Sequence, residues 1–268
     1  MRRIARRLKQ LIRYPLYLSA YLTRDRKANG PVFVVGTGRS GTHMICRCVN
    51  KFPQVSDYYG GVESPEMFWS ISNATVEQKS LSVFQLGYYA YMMRKVNGLF
   101  LDQTHPNLWN IEQLLEAFPK AKFLAIKRNV HSVSYSMKKH GGVSKWAKNH
   151  TLYPKPNGFL GVTLQNAKVY QEQLTDLQRD VFRWASHMER IDEVAARFPD
   201  NVRVIKYEDV GKSMKSVMVS LADFIGTQPP SDFLVFKEAS LHKRDALTDD
   251  EMLQIDDALA LWGLGIKG

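Results

Sequence analysis

The spacing of apolar positions changes several times along the chain, and each change marks an element. In the first turns Ile4, Leu8, Leu11 and Ile12 recur at helical spacing, with Arg2, Arg3, Arg6, Lys9 and Arg13 on the other face. This spacing predicts a basic amphipathic helix, interrupted at Pro15. The apolar run 16–22 that follows is shorter than the roughly 20 residues a bilayer span needs. From Pro31 the pattern switches. Val32-Phe33-Val34-Val35 is uninterrupted, largely β-branched and closed by Gly36, as a strand buried on both faces would be. Residues 42–51 then have helical character and stop before Pro53.

Runs at 99–102, 122–126 and 202–206 predict three further strands. Helical patterning occupies the intervals near 76–95, 107–117, 129–140, 166–198, 212–225 and 248–262. Strands alternating with helices predict an α/β fold, a P-loop-type central parallel sheet flanked by helices on both faces. Residues 141–163, with their glycines and prolines, predict a long surface loop, and the segment around Asp57 makes a poor strand. Two parts are expected: a basic N-terminal segment, 1–30, and one domain, 31–268.

Charge changes the picture only at the N-terminus. The net charge is +11, but nine basic residues and a single acid, Asp25, fall within residues 1–30, which therefore hold eight of those charges. The remaining domain is close to neutral, which argues against a nucleic-acid-binding core. The N-terminal helix suits either an anionic membrane surface, met through residues 1–22, or packing on the domain with its basic face in water. With neither a spanning segment nor a cleavage signal, a cytoplasmic protein is expected, peripheral on a membrane where that helix binds one. Two cysteines one residue apart, Cys46 and Cys48, give no disulfide framework, and the seven histidines show no metal-ligand spacing, so no metal is expected.

The chemistry concentrates in Gly36-Thr37-Gly38-Arg39-Ser40-Gly41-Thr42, between the first strand and its helix. Glycines let the backbone curl around an anion, and the helix N-terminus aims N–H groups and a positive dipole end at it. Thr42 adds a hydroxyl and Arg39 a guanidinium. Two rival motifs overlap this segment. Gly36-x-Gly38-x-x-Gly41 matches a dinucleotide fingerprint but lacks the second strand with its terminal acid. A nucleotide kinase would place lysine where Thr42 stands, and no convincing set of magnesium ligands accompanies it. Further along the chain, the strand-like Lys122–Ile126 leads to Arg128, 89 residues beyond that loop arginine, and, eight residues later, to Ser136 on the next helix.

These two motifs together resemble the sulfotransferase superfamily, closest to its tyrosylprotein and carbohydrate branches. Glu116–Lys122 and Val204–Asp209 also look like family segments, and the resemblance spans most of residues 32–265. It implies transfer of a sulfuryl group from 3′-phosphoadenosine 5′-phosphosulfate (PAPS) to an acceptor hydroxyl on a carbohydrate, lipid headgroup, phenol or peptide. The transfer would be in line and metal-independent, with adenosine 3′,5′-bisphosphate (PAP) as product. It further implies donor binding by Gly38, Arg39, Ser40, Gly41, Thr42 and His43, and a 3′-phosphate held by Arg128 and Ser136. Tyr207 and Lys243 would close over the nucleotide, and Trp184 matches a family tryptophan that serves the adenine or the core. Arg39 would stabilise charge on the transferring group.

For the base that deprotonates the acceptor, three residues compete. Glu63 is the first choice and Glu66 the second, by their place after Phe52-Pro53-Gln54-Val55. His105 is the rival, following a strand as the base of the cytosolic branch does. The chain departs from the family's Asp/Glu-Lys-Thr-Pro motif here: Gln103 and Thr104 stand near the missing lysine, and His105 either compensates or is itself the base. Acceptor contacts are expected from 57–95 and 141–163. Outside this resemblance, a P-loop phosphoryl transferase and a non-enzymatic, membrane-attached nucleotide-binding protein are the other readings.

Overall fold

The computed structural model describes residues 2–60, 63–232 and 242–263. Five strands, β1 (Val32–Gly36), β2 (Val55–Ser56), β3 (Leu99–Asp102), β4 (Lys122–Lys127) and β5 (Val202–Lys206), form one parallel sheet in the order β2-β3-β1-β4-β5. The helices are α1 (Arg2–Leu22), α2 (Thr42–Val49), α3 (Pro65–Val76), α4 (Val83–Met93), α5 (Ile111–Ala117) and α6 (Val130–Lys138). They continue with α7 (Gly141–Lys148), α8 (Ala167–Glu172), α9 (Asp176–Arg197), α10 (Tyr207–Lys212), α11 (Met214–Ile225) and α12 (Asp249–Gly263).

The strands carry apolar side chains on both faces, and their alternation divides the core. Phe33, Val35, Phe100, Phe123 and Ala125 point to one side, against α3, α4, α5 and α9. Val32, Val34, Leu101, Leu124 and Ile126 point to the other, against α2, α10 and α11. Sheet pairing puts Phe33 beside Phe123, whose rings stack at 5.1 Å. A third cluster, around Val133, Trp146, Phe159, Phe182 and Trp262, joins α6, α7, α9 and α12 beyond the sheet.

Several expected elements are corrected. Pro15 does not end α1, which runs through it. A proline in mid-helix removes one N–H, and the bonds on either side still close the turns. Residues 55–56 do form a short strand, because β3 supplies a parallel partner that weak local propensity does not reveal. A helix absent from the sequence reading, α3, starts at Pro65 with the Ser64 hydroxyl as its N-cap, and the helix expected near 76–95 is confined to α4. The helix expected over 166–198 is two, α8 and α9, because Thr175 and Gln178 form a capping box that starts a new helix. The expected surface loop 141–163 is largely packed: it contains α7, and Trp146, Phe159, Leu160 and Val162 are buried in the third cluster. Its glycines and prolines set tight turns between apolar anchors.

The N-terminal segment lies against the domain through the second half of α1. Tyr17 and Ala20 are buried, and Arg94 donates to the Ala20 and Thr23 carbonyls. Arg24 reaches across to the carbonyl of Ala117 at 3.0 Å. Among the described residues no helix is long and apolar enough to cross a membrane.

Candidate active site

Open parallel sheets bind ligands outside the carboxyl ends of their strands, and four neighbouring strand ends here carry the candidate residues. The turn after β1 is the glycine loop. Gly36, Arg39 and Gly41 take φ of 151°, 73° and 105°. The turn is closed by the Ser40 amide and hydroxyl, both donating to the Thr37 carbonyl. No side chain caps α2, so its first turn faces the loop with its N–H groups available to an anion. Gly41 is required twice, by its φ and by its neighbour: a Cβ there would lie 2.2 Å from the Tyr207 ring.

That ring comes from the end of β5 and lies under the guanidinium of Arg128, 4.1 Å from its centroid. Arg128 follows β4 and is buried, and its own carbonyl accepts from the Trp184 indole at 2.9 Å. Asn129, next in the chain, caps α6 and is itself held by Glu208 through its backbone and side-chain N–H groups. Arg128 Nη1 donates to the Arg39 carbonyl at 3.4 Å, Arg39 Nε donates to Ser136 Oγ at 3.0 Å, and Lys243 Nζ reaches the same hydroxyl at 3.4 Å. Two cations, Arg39 and Lys243, thus meet at one serine, with Arg128 joined to them through the Arg39 carbonyl. Burial lowers all three pKa values, and the mutual repulsion of Arg39, Arg128 and Lys243 lowers those of Arg128 and Lys243 further. Such a cluster suits a phosphate dianion, whose charge and acceptor oxygens relieve both costs.

On the other side of the glycine loop is a cavity of about 350 Å³. Arg39, Thr42, His43, Glu63 and His105 line its polar end, and Phe68, Trp69, His140 and Trp146 its apolar end. The Lys145 ammonium sits 3.6 Å from the Trp69 centroid, and Trp146 is backed by the buried Arg183 guanidinium at 4.8 Å. Trp69 and Trp146, from α3 and α7, come from the two segments expected to meet the acceptor.

Glu63 is half-buried beside this cavity. Its Oε2 accepts from Gln103 Nε2 and lies 3.3 Å from His43 Nε2. Burial alone would raise its pKa, but the His43 hydrogen bond, its own backbone amide and the electrostatic pull of His43 outweigh that, and the carboxyl sits below its ordinary value. His105 is different. Buried, with the Phe68 ring at 5.5 Å, it is pushed down to about 3, mainly by burial and then by the Arg183 charge, so its imidazole is neutral. The ring lies near the Gly36 carbonyl, where the glycine loop begins. The turn that sets both Gln103 and His105 is built on buried Asp102, which accepts from the Thr104 amide and hydroxyl and from Tyr89.

The structure therefore brings Gly38, Arg39, Ser40, Gly41, Thr42, Arg128, Ser136, Tyr207 and Lys243 to one strip of strand ends, and Glu63 and His105 to the adjoining cavity. His43, expected at the donor, lies in the first turn of α2 beside the loop, and its ring Nε2 is 3.3 Å from Glu63 Oε2. The Glu66 side chain lies outside the described residues. Sequence reasoning missed Gln103 as the partner of Glu63 and Glu208 as the brace of Asn129. The departure from the family's lysine motif was the one signal pointing to Gln103.

The sequence matches the family model of the sulfotransferase domain over residues 29–243. No curated protein matches it. Among solved structures, sulfotransferase STF9 from Mycobacterium avium shares the fold with a TM-score of 0.56 at 13% identity, over 94% of this chain and 80% of that one. Sulfotransferase STF1 from Mycobacterium tuberculosis H37Rv does so with a TM-score of 0.53 at 10% identity, over 94% and 79%.

Proposed function

The chain belongs to the sulfotransferase family, and from that premise we propose that it binds PAPS along the strip of strand ends and sulfates an acceptor hydroxyl in the aromatic cavity. The family uses PAPS as donor and releases PAP. The observation that carries the assignment to this chain is the pairing of two anion sites, the open glycine loop and the Arg39–Ser136–Lys243 cluster beside Arg128. A ligand with only one phosphate group would leave one of them unused.

In this reading the loop amides and Thr42 hold the 5′ end, while Arg128, Ser136 and Lys243 hold the 3′-phosphate. Arg39, placed between cavity and serine, stabilises charge that develops on the transferring oxygens. Glu63 is the base: it opens on the cavity, and His43 and Gln103 orient its carboxylate. His105 is the weaker candidate, since a buried imidazole of such low basicity takes up a proton poorly. The acceptor hydroxyl rides on a ring-bearing or otherwise flat apolar body, because the far wall is made of Phe68, Trp69 and Trp146.

Calorimetric titration without metal tests the donor assignment. PAP should bind at least ~10-fold more tightly than 5′-AMP, as expected when charge-assisted contacts worth roughly 1.5–3 kcal/mol each are added. Equal affinity for PAP and 5′-AMP, or preference for ATP, would remove the 3′-phosphate site.

A further inference from the structure

Helix α1 buries one stripe and exposes another. Tyr17 packs on Phe84, Tyr88 and Tyr91, Ala20 is buried beside it, and Tyr14 stacks on Phe84. Ile12, Leu16 and Leu22 are instead 70%, 52% and 69% exposed. At about 100° per residue these three fall on the side of the helix turned away from Tyr17. An amphipathic helix ordinarily lays its aliphatic stripe on its own domain. Here the domain takes the tyrosine stripe, and an aliphatic one at least three turns long is left facing out.

Charge selects what covers it. Residues 1–24 hold seven basic residues and no acid. A second copy of the chain laid on this face would set like charges against each other, whereas anionic headgroups would compensate them. An aliphatic stripe on a strongly basic helix that cannot span a bilayer suits insertion at the depth of the headgroups. We propose that the outward face of α1 is a membrane-docking surface for an anionic lipid bilayer. This surface does not depend on the donor or acceptor assignments, since none of its residues lines the cavity or the anion sites.

Vesicle sedimentation of the full chain tests it, with phosphatidylcholine vesicles and with vesicles containing roughly a third phosphatidylserine. The protein should partition at least ~10-fold more strongly to the anionic vesicles, and less so as salt is raised to about 0.5 M. The pair Ile12→Asp and Leu16→Asp should cut that partitioning at least ~10-fold, with melting temperature and PAP affinity unchanged because both side chains are in solvent. Failure of the wild type to bind anionic vesicles, or equal binding by wild type and variant, overturns the proposal. So does light scattering that shows a dimer which the same two substitutions dissolve, since the face would then belong to a second copy.

Discussion

Gly41→Ala probes whether the glycine loop and the Arg128 site are one mechanical unit. Gly41 has φ of 105°, a value L-residues rarely adopt, and holding alanine there costs about 1–3 kcal/mol. The added methyl would sit 2.2 and 2.3 Å from two carbons of the Tyr207 ring, so that ring must move. Tyr207 is buried, and leaving its place ends the stacking under Arg128 at 4.1 Å, a contact worth about 0.5–2 kcal/mol. The total, about 1.5–5 kcal/mol, corresponds to a fall in Tm of roughly 3–20 °C for a domain of this size. Differential scanning fluorimetry measures the fall, and PAP titration at a temperature where the variant is folded measures the binding loss. Tyr207→Ala in the same background removes the collision but not the backbone strain. The two substitutions should therefore cost less together than the sum of their separate costs, with a coupling of about 1–3 kcal/mol. Strict additivity, or a Gly41→Ala protein that melts within about 1 °C of wild type and binds PAP equally well, would refute the linkage.

Two further outcomes concern the cavity. Glu63→Gln should lower kcat by about 10²–10⁴-fold while leaving PAP affinity intact, as loss of a general base does. His105→Asn should retain the wild-type pH profile, and full activity in Glu63→Gln would exclude the carboxylate. The sign of the pH effect follows from the depressed Glu63 pKa: the carboxylate form is the active one, so the wild-type rate should stay level through neutrality and fall only below the ordinary carboxyl value of 4.5. A profile falling already between about pH 7 and 6 would rule out the depressed Glu63 carboxyl as the titrating group. Trp69→Ala should raise acceptor KM roughly 3–10-fold, as loss of an aromatic contact of about 0.5–1.5 kcal/mol implies, with donor KM unchanged in assays against a panel of phenols and glycosides. An unchanged acceptor KM would move the acceptor elsewhere.

How much was legible in the sequence depended on whether the signal was local. The four longer strands and the loop at Gly36–Thr42 announce themselves through uninterrupted apolar runs and through glycine, and the structure has them in place. The two-residue β2 exists only because β3 lies beside it, and no local pattern encodes that. The packed character of 141–163 was hidden for the same reason. Its glycines and prolines carry the loop signal, whereas the burial of Trp146 depends on Phe159 within the segment and on Trp69 and Arg183, both distant in sequence. In the site, Arg39, Arg128 and Ser136 could be picked out by residue type and spacing. That Arg39 donates to Ser136 and that His43 turns to Glu63 are products of the crossover connections. Gln103 shows the limit most clearly, since as a neutral side chain it carries no chemistry of its own until the fold places it on a carboxylate.

The contact between Arg39 and Ser136 also decides how the two anion sites communicate. Arg39 is the fourth residue of a seven-residue loop that starts at Gly36, held by its positive φ, and its carbonyl accepts from Arg128 while its guanidinium donates to Ser136. Moving the loop therefore moves a donor and an acceptor of the second site at once. The three cations stay partly desolvated and mutually repelling until an anion joins them. Binding a dianion relieves that repulsion, so it must stabilise the fold by RT ln(1 + [L]/Kd), about 2.7 kcal/mol at a hundredfold excess over Kd. The loop and the second site should accordingly lose and gain stability together. A ligand lacking the 3′-phosphate would leave the repulsion around Ser136 in place even while the glycine loop is filled.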